Sequence, residues 1–187
     1  MPFDISEFNA SLQNYGYLKN NIFEVYVTPP PILQGQYDVS YLQYRVERVS
    51  IPGVSILSAD NAPQGVGPLK KFPFSAQFNE INLYILCDRN ADQLNFWNDW
   101  LNGIYGFNGG SIGGNLYSMP SYTSGYRDDF ATTVTILLYG VDGTVAQKVD
   151  LVEAFPTGIR EIPLAWDANG ELVKLSVSMT FSGYQLI

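Results

Sequence analysis

Two pairs of carboxylates, one cysteine and two glycine-rich runs are the residues whose types could support chemistry. Asp88 and Asp92 lie four apart, and Asp128 and Asp129 are adjacent. Paired acids can hold a divalent cation or share general acid and base work. Here each pair borders a turn or a proposed helix start, where acids also serve as caps. The run GGSIGG at 109–114 has the glycines of a phosphate loop but no Lys-Ser or Lys-Thr after it, and no helical pattern begins there. The run GVGPLK at 65–70 is spoiled as a nucleotide fingerprint by Pro68. Cys87 follows an apolar run, and the chain has no histidine to activate it, so it reads as an inert, buried thiol. Trp97 and Trp100 suit a sugar-binding platform or a core, and their helical spacing favours the core. Without histidine, the commonest acid/base at neutral pH and the commonest metal ligand are both missing. The sequence therefore points away from an enzyme, and no cofactor or metal is expected.

Composition points to a surface that partners cover. Charged residues make up 15% of the chain, against about 25% in a typical domain. Aromatic residues make up 14%, and Tyr and Trp favour interfaces. The net charge of −8, with ten scattered Lys and Arg, gives no basic patch to neutralise phosphates. An acidic protein of this kind can let DNA pass without holding it. One cysteine excludes an internal disulfide framework. No apolar run approaches the ~20 residues that cross a bilayer. The opening MPFDISEF carries acids where a signal peptide needs bases, so neither a membrane anchor nor secretion by that route is expected.

The 187 residues fit one domain that is mainly strand. Phe23, Val25 and Val27 share one face of a strand at 22–28, ended by three prolines. A second strand is expected at 41–51, before the turn at Pro52-Gly53. Residues 55–73 read as a long loop or an extended hairpin. Ile81, Leu83 and Ile85 share a face in a strand at 74–88, with Phe78 off register and a bulge near Asn79. Leu94, Trp97, Leu101 and Ile104 recur at helical spacing, which predicts a helix at about 90–104 with Asn90 as its N-cap. The stretch 105–126 is glycine- and tyrosine-rich. Val134, Ile136 and Leu138 mark a strand, Asp142-Gly143 a hairpin turn, and 146–154 its return. The clearest strand is 173–181, with Val173, Leu175, Val177, Met179 and Phe181 on one face.

The last third, DLVEAFPTGIREIPLAWDANGELVKLSVSMTFSGYQ, resembles the tail-tube proteins of contractile-tailed bacteriophages. The resemblance rests on Ala154-Phe155-Pro156, Ile162-Pro163-Leu164 and Trp166-Asp167, then the closing strand to Tyr184. NIFEVYV, RVERVSIPGVSI, GPLKKFPF, FNEINLYILCD and RDDFATTVTILLYGVDG agree with it. It implies a β-sandwich or barrel of two orthogonal sheets with one flanking α-helix, in a ring-forming fold shared with the tubes of secretion and injection systems. On this reading six copies form a ring, and the rings stack into a hollow tube inside a contractile sheath. The tube carries DNA and the tape-measure protein between baseplate and tail-terminator proteins, in a virion assembled in the host cytoplasm. The domain would span 1–187, with an N-terminal arm at 1–20 and insertions at 55–73 and 105–126.

From the resemblance, Leu57, Asp60, Asn61, Gln64, Lys70 and Lys71 are candidates for ring stacking. Arg45, Glu47, Asn79, Glu80 and Asn82 are candidates for facing the lumen. Phe155, Pro156, Pro163 and Trp166 would form a structural connector, the prolines stopping the ladder at both ends and Trp166 anchoring the crossing between sheets. Three alternatives stand beside this one. A baseplate tube initiator, or the tube of an injection particle without a genome, would share the fold. A carbohydrate-binding β-sandwich would use Trp97, Trp100 and the tyrosines. An enzyme would need the paired aspartates.

Overall fold

The computed structural model describes residues 5–6, 9, 18–61, 70–107, 111–112, 115–116, 124–166, 170 and 172–187. Its frame is mainly strand, arranged as two sheets that share one long strand. The strands are β1 (Phe23–Val27), β2 (Val46–Val49), β3 (Val54–Asn61), β4 (Lys70–Phe78), β5 (Ile81–Leu86), β6 (Ser111–Ile112), β7 (Asn115–Leu116), β8 (Thr132–Tyr139), β9 (Val145–Ile159), β10 (Lys174–Thr180) and β11 (Gly183–Leu186). Helix α1 spans Asp92–Ile104. All pairings among the strands are antiparallel.

The shared strand is β9, 15 residues long. Its first part pairs with β8 on one side and β11 on the other, and β1 adds to β8. Its last part pairs with β10, which continues to β5 and β2. The bend falls at Glu153, whose φ is +52°. A non-glycine residue there is uncommon and costs energy. The corner is clamped: Glu153 Oε2 sits 2.8 Å from Arg127 Nη2 and accepts from Ser182 Oγ at 2.7 Å. Ser182 lies between β10 and β11, so both strands of the bent ribbon turn at the same level.

Alternation explains the core. Val25, Val27, Val134, Ile136, Val149 and Leu151 point inward from one sheet, and Ile81, Leu83, Ile85, Leu175, Val177 and Met179 from the other. Helix α1 packs against β9 and closes the core. Its Trp97 and Trp100 are fully buried and stacked, with centroids 5.2 Å apart and planes at 13°. Phe96 meets both edge-on. Trp100 Nε1 donates to the Phe130 carbonyl at 2.9 Å, so the indole tip is satisfied inside the core. A sugar platform at Trp97 and Trp100 is thereby excluded.

Four sequence expectations change. The helix N-cap is Ala91, not Asn90. The Asp88 carboxylate instead accepts from the Asp92 N–H at 3.0 Å, and Gln93 Oε1 reaches back to the Asp88 N–H at 3.0 Å. These reciprocal bonds satisfy the first turn from farther upstream. The expected strand at 41–51 is a 3-10 helix over Ser40–Tyr44 followed by the four residues of β2. Asp38 starts that turn by accepting from Ser40 N and Oγ. The expected strand at 74–88 divides at Asn79 and Glu80, the point of the suspected bulge. Finally, Pro156 does not end β9 but lies inside it, opposite Met179 beside a register shift. Among the described residues that part of β9 has a ladder on one side only, where proline is tolerated.

Candidate assembly surfaces

Two surfaces stand out because large apolar side chains on them are exposed among the described residues. The first is the hairpin of β3 and β4. It forms a two-stranded sheet of its own and joins no other described strand. Its register places Val54 opposite Phe78, Ile56 opposite Ala76, Ala59 opposite Phe72 and Asp60 opposite Lys71. Phe78 holds the base by packing against Phe181 and Tyr184, with centroids 5.8 and 5.7 Å away. Beyond the base the ribbon stands free. Ile56 and Phe74 are each 68% exposed, and Phe72, Val54 and Leu57 are exposed too. An isolated two-stranded ribbon is marginal in water, and clustered exposed apolar side chains mark interaction sites.

The second surface lies in the segment between β9 and β10. Residues 162–165 and 172–174 line an open groove. Leu164 is 82% exposed, Leu172 is exposed, and Trp166 beside them is fully exposed. The expectation that Trp166 anchors a crossing between the sheets is therefore wrong. The crossing is made by β9 itself, and Phe155 and Pro156 belong to that strand rather than to a connector. Phe155 packs edge-on against Phe130, and the Arg127 guanidinium lies 6.0 Å from its ring centre. Pro163 does lie in the connecting segment, on the groove.

The stacking candidates Leu57, Asp60, Asn61, Lys70 and Lys71 all lie on the hairpin, the last four toward its tip. Gln64 lies outside the described residues. Val54, Ile56, Phe72 and Phe74 were missed as candidates, although the apolar residues of V-S-I and F-P-F carried the signal. The lumen candidates divide. Glu47 and Asn82 share the outward face of the β2–β5–β10 sheet: Glu47 Oε2 is 2.8 Å from Lys174 Nζ, and Asn82 Oδ1 accepts from Ser178 Oγ at 2.8 Å. Arg45 follows the 3-10 helix at one end of β2, whereas Asn79 and Glu80 form the turn before β5.

The remaining polar groups are tied into structural networks. Glu24 accepts from the hydroxyls of Tyr26 and Tyr139, each at 2.8 Å. The bond to Glu24 pushes the Tyr26 hydroxyl up to about 12, and it raises Tyr139 as well. Asp142, in the β8–β9 turn, is lowered by bonds from Thr144 Oγ1 and N–H. For Asp150, burial would raise the carboxyl, but Lys148 and Thr135 outweigh it and hold it below its ordinary value. Burial raises Cys87, which makes it a poor nucleophile. Asp128 and Asp129 occupy the first turn of the short helix Arg127–Phe130. Among the described residues, no three His, Cys, Asp or Glu side chains gather as a metal site. No described helix is long and apolar enough to cross a membrane.

Fold and surfaces together describe a mainly β chain with exposed apolar side chains on the hairpin and at the groove. The chain belongs to the phage tail tube protein family, whose model matches residues 18–187. Solved structures share the fold. A chain of the extracellular contractile injection system PVC sheath–tube complex, in its extended state, aligns with a TM-score of 0.63 at 16% identity, covering 95% of this chain and 96% of that one. A chain of the anti-feeding prophage baseplate aligns at 0.62 with 9% identity, covering 92% and 97%. A chain of the PVC sheath/tube terminator aligns at 0.60 with 17% identity, covering 92% and 99%. No relative is found among curated protein sequences.

Proposed function

We propose that this chain is the tube subunit of a contractile phage tail. Six copies close into a ring, and rings stack into the hollow inner tube. The tube is the conduit for DNA and the tape-measure protein during ejection, inside a sheath and between baseplate and terminator. The particle is a virion assembled in the bacterial host cytoplasm. The whole of 1–187 acts as one tube domain, with no enzymatic activity. The observation that carries this reading is the free β3–β4 hairpin on a chain of the tail tube family. A monomer would leave Ile56 and Phe74 in water, whereas stacking covers them. Ring closure also suits the sheet edges, since β2 and the last part of β9 offer unpaired backbone among the described residues.

A second reading, the tube of an injection particle without a genome or a baseplate initiator, is favoured by one observation. Structures that share the fold include chains from an injection system and an anti-feeding prophage. Negative-stain microscopy across concentration, backed by sedimentation, tests both. Long hollow tubes are the expected result for the main tube subunit. Rings that never lengthen identify an initiator. A chain that stays monomeric at high concentration overturns the tube reading. Particles isolated with DNA in the bore separate a phage tail from an empty injection tube.

A further inference from the structure

We infer that the inward face of α1 holds one buried water, shared between Gln93 Nε2 and Trp97 Nε1. The site lies inside a single chain, so it stands apart from the assembly reading. Among the described residues three buried side-chain polar atoms lack a hydrogen-bond partner, and two of them are Gln93 Nε2 and Trp97 Nε1. Neither residue can turn to solvent, since Gln93 is 1% exposed and Trp97 0%. Both atoms are nitrogens that donate and cannot accept. A buried donor without an acceptor is costly, and native folds seldom keep one. Two such atoms four residues apart on one helix therefore point to a shared acceptor.

Helix geometry brings the pair together. Residues i and i+4 are neighbours on one face. Helical side chains lean toward the N-terminus, so the Trp97 indole lies over the turn that carries Gln93. The Gln93 amide cannot be reversed to relieve its nitrogen. Its Oε1 accepts from the Asp88 N–H at 3.0 Å, and reversal would set two donors against each other. Trp100 is the contrast within the same aromatic cluster: its Nε1 donates to the Phe130 carbonyl at 2.9 Å and needs no further partner. Chemistry selects the occupant. It must accept two hydrogen bonds at once, fit among close-packed rings and carry no charge. Phe96 and Trp100 crowd the Trp97 ring, each with its centroid 5.2 Å away. An anion held there by two neutral donors would lose its hydration in an apolar core, beside the Asp88 carboxylate. Water meets all three conditions, and it is the usual partner of such groups in protein interiors.

The test is an experimental structure of the full chain at a resolution that shows ordered waters, by crystallography or, on assembled material, by electron cryomicroscopy. One water within about 3 Å of both nitrogens is the expected result. Nitrogens more than roughly 6 Å apart could not share it and would overturn the inference. So would a map without density between them, or one with an oxygen of the chain itself in that place. The three indole N–H groups give an independent reading by NMR. Trp97 should show magnetisation transfer from a long-lived water, Trp100 none, and Trp166 exchange with bulk solvent. A Trp97 N–H as dry as that of Trp100 would overturn the site. Gln93→Met keeps the length of the side chain and removes the amide, so it should abolish the water signal at Trp97. An undiminished signal would show that Gln93 does not hold the water, and would overturn the shared site. The wild-type structure and spectra decide alone if Gln93→Met fails to fold.

Discussion

Glu153 combines strain and compensation in a single residue. Its positive φ lets β9 leave one sheet for the other, and its carboxylate holds Arg127 and Ser182 across the bend. Glu153→Ala keeps the strain and loses the clamp, at an expected cost of about 1–2 kcal/mol. Glu153→Gly loses the same contacts but relaxes the backbone, so it should cost less by roughly 1 kcal/mol. Urea denaturation of the unassembled chain decides, and a glycine variant weaker than the alanine one would show that the corner is not strained. Glu24 offers a second residue-level test. Tyr26 and Tyr139 are raised in the folded state by bonding to it. A raised pKa adds stability that is complete below the unfolded tyrosine value of about 10 and is lost above it. The melting-temperature gap between wild type and Glu24→Leu should therefore be constant from pH 7 to 9 and close between about pH 10 and 12. A gap unchanged to pH 12 would show that these bonds do not carry it. Neither Glu153 nor Glu24 could be singled out from the sequence, because both roles depend on strand pairing between distant segments.

At the scale of elements, close approach matters most where α1 ends. Gly125 N–H donates to the Ile104 carbonyl at 2.8 Å, and a Cβ on Gly125 would sit 2.9 Å from the Gly103 carbonyl oxygen. Backbone cannot yield as a side chain can, so Gly125→Ala should destabilise by about 1–3 kcal/mol. Thermal melts check this, and a neutral alanine would mean the 105–126 connection is free to shift away from α1. The elements legible in the sequence were those with one buried face. β1, β8 and β10 alternate because one side meets the core, whereas in α1 the periodicity was legible but its face was not: Phe96, Trp97 and Trp100 are buried, while Leu94, Leu101 and Ile104 of the expected stripe are only partly so. The hairpin stayed ambiguous between loop and ribbon because both its faces are exposed, so no alternation was required of it. The full length of β9 was hidden by Pro156, which is tolerated because among the described residues no strand pairs with that edge. Trp166 misled for a related reason. An aromatic side chain suggests burial, and among the described residues nothing covers it.

On the scale of the whole molecule, four of the ten basic side chains are held by local partners. Lys174 is bonded to Glu47, Lys148 to Asp150 and Arg127 to Glu153, while Arg48 lies over the Tyr84 ring at 5.5 Å. These basic groups are neutralised or occupied locally, on a chain of net −8. DNA binding draws its affinity from clustered Lys and Arg that neutralise phosphates and release the counterions condensed on them. The sequence holds one adjacent basic pair, Lys70-Lys71 on the hairpin, and every added copy brings further net negative charge. Assembly should therefore weaken contact with DNA, whereas multivalency would strengthen it in a basic protein. The expected result is no mobility shift of duplex DNA by rings or tubes, even at about 50 mM salt, where electrostatic binding is strong. Retention that falls steeply as salt rises would reveal a basic lining formed between copies, and the proposed bore would then grip DNA instead of letting it slide. An unshifted duplex is what a conduit requires, since a polyanion moves fastest past walls that offer it no counterions.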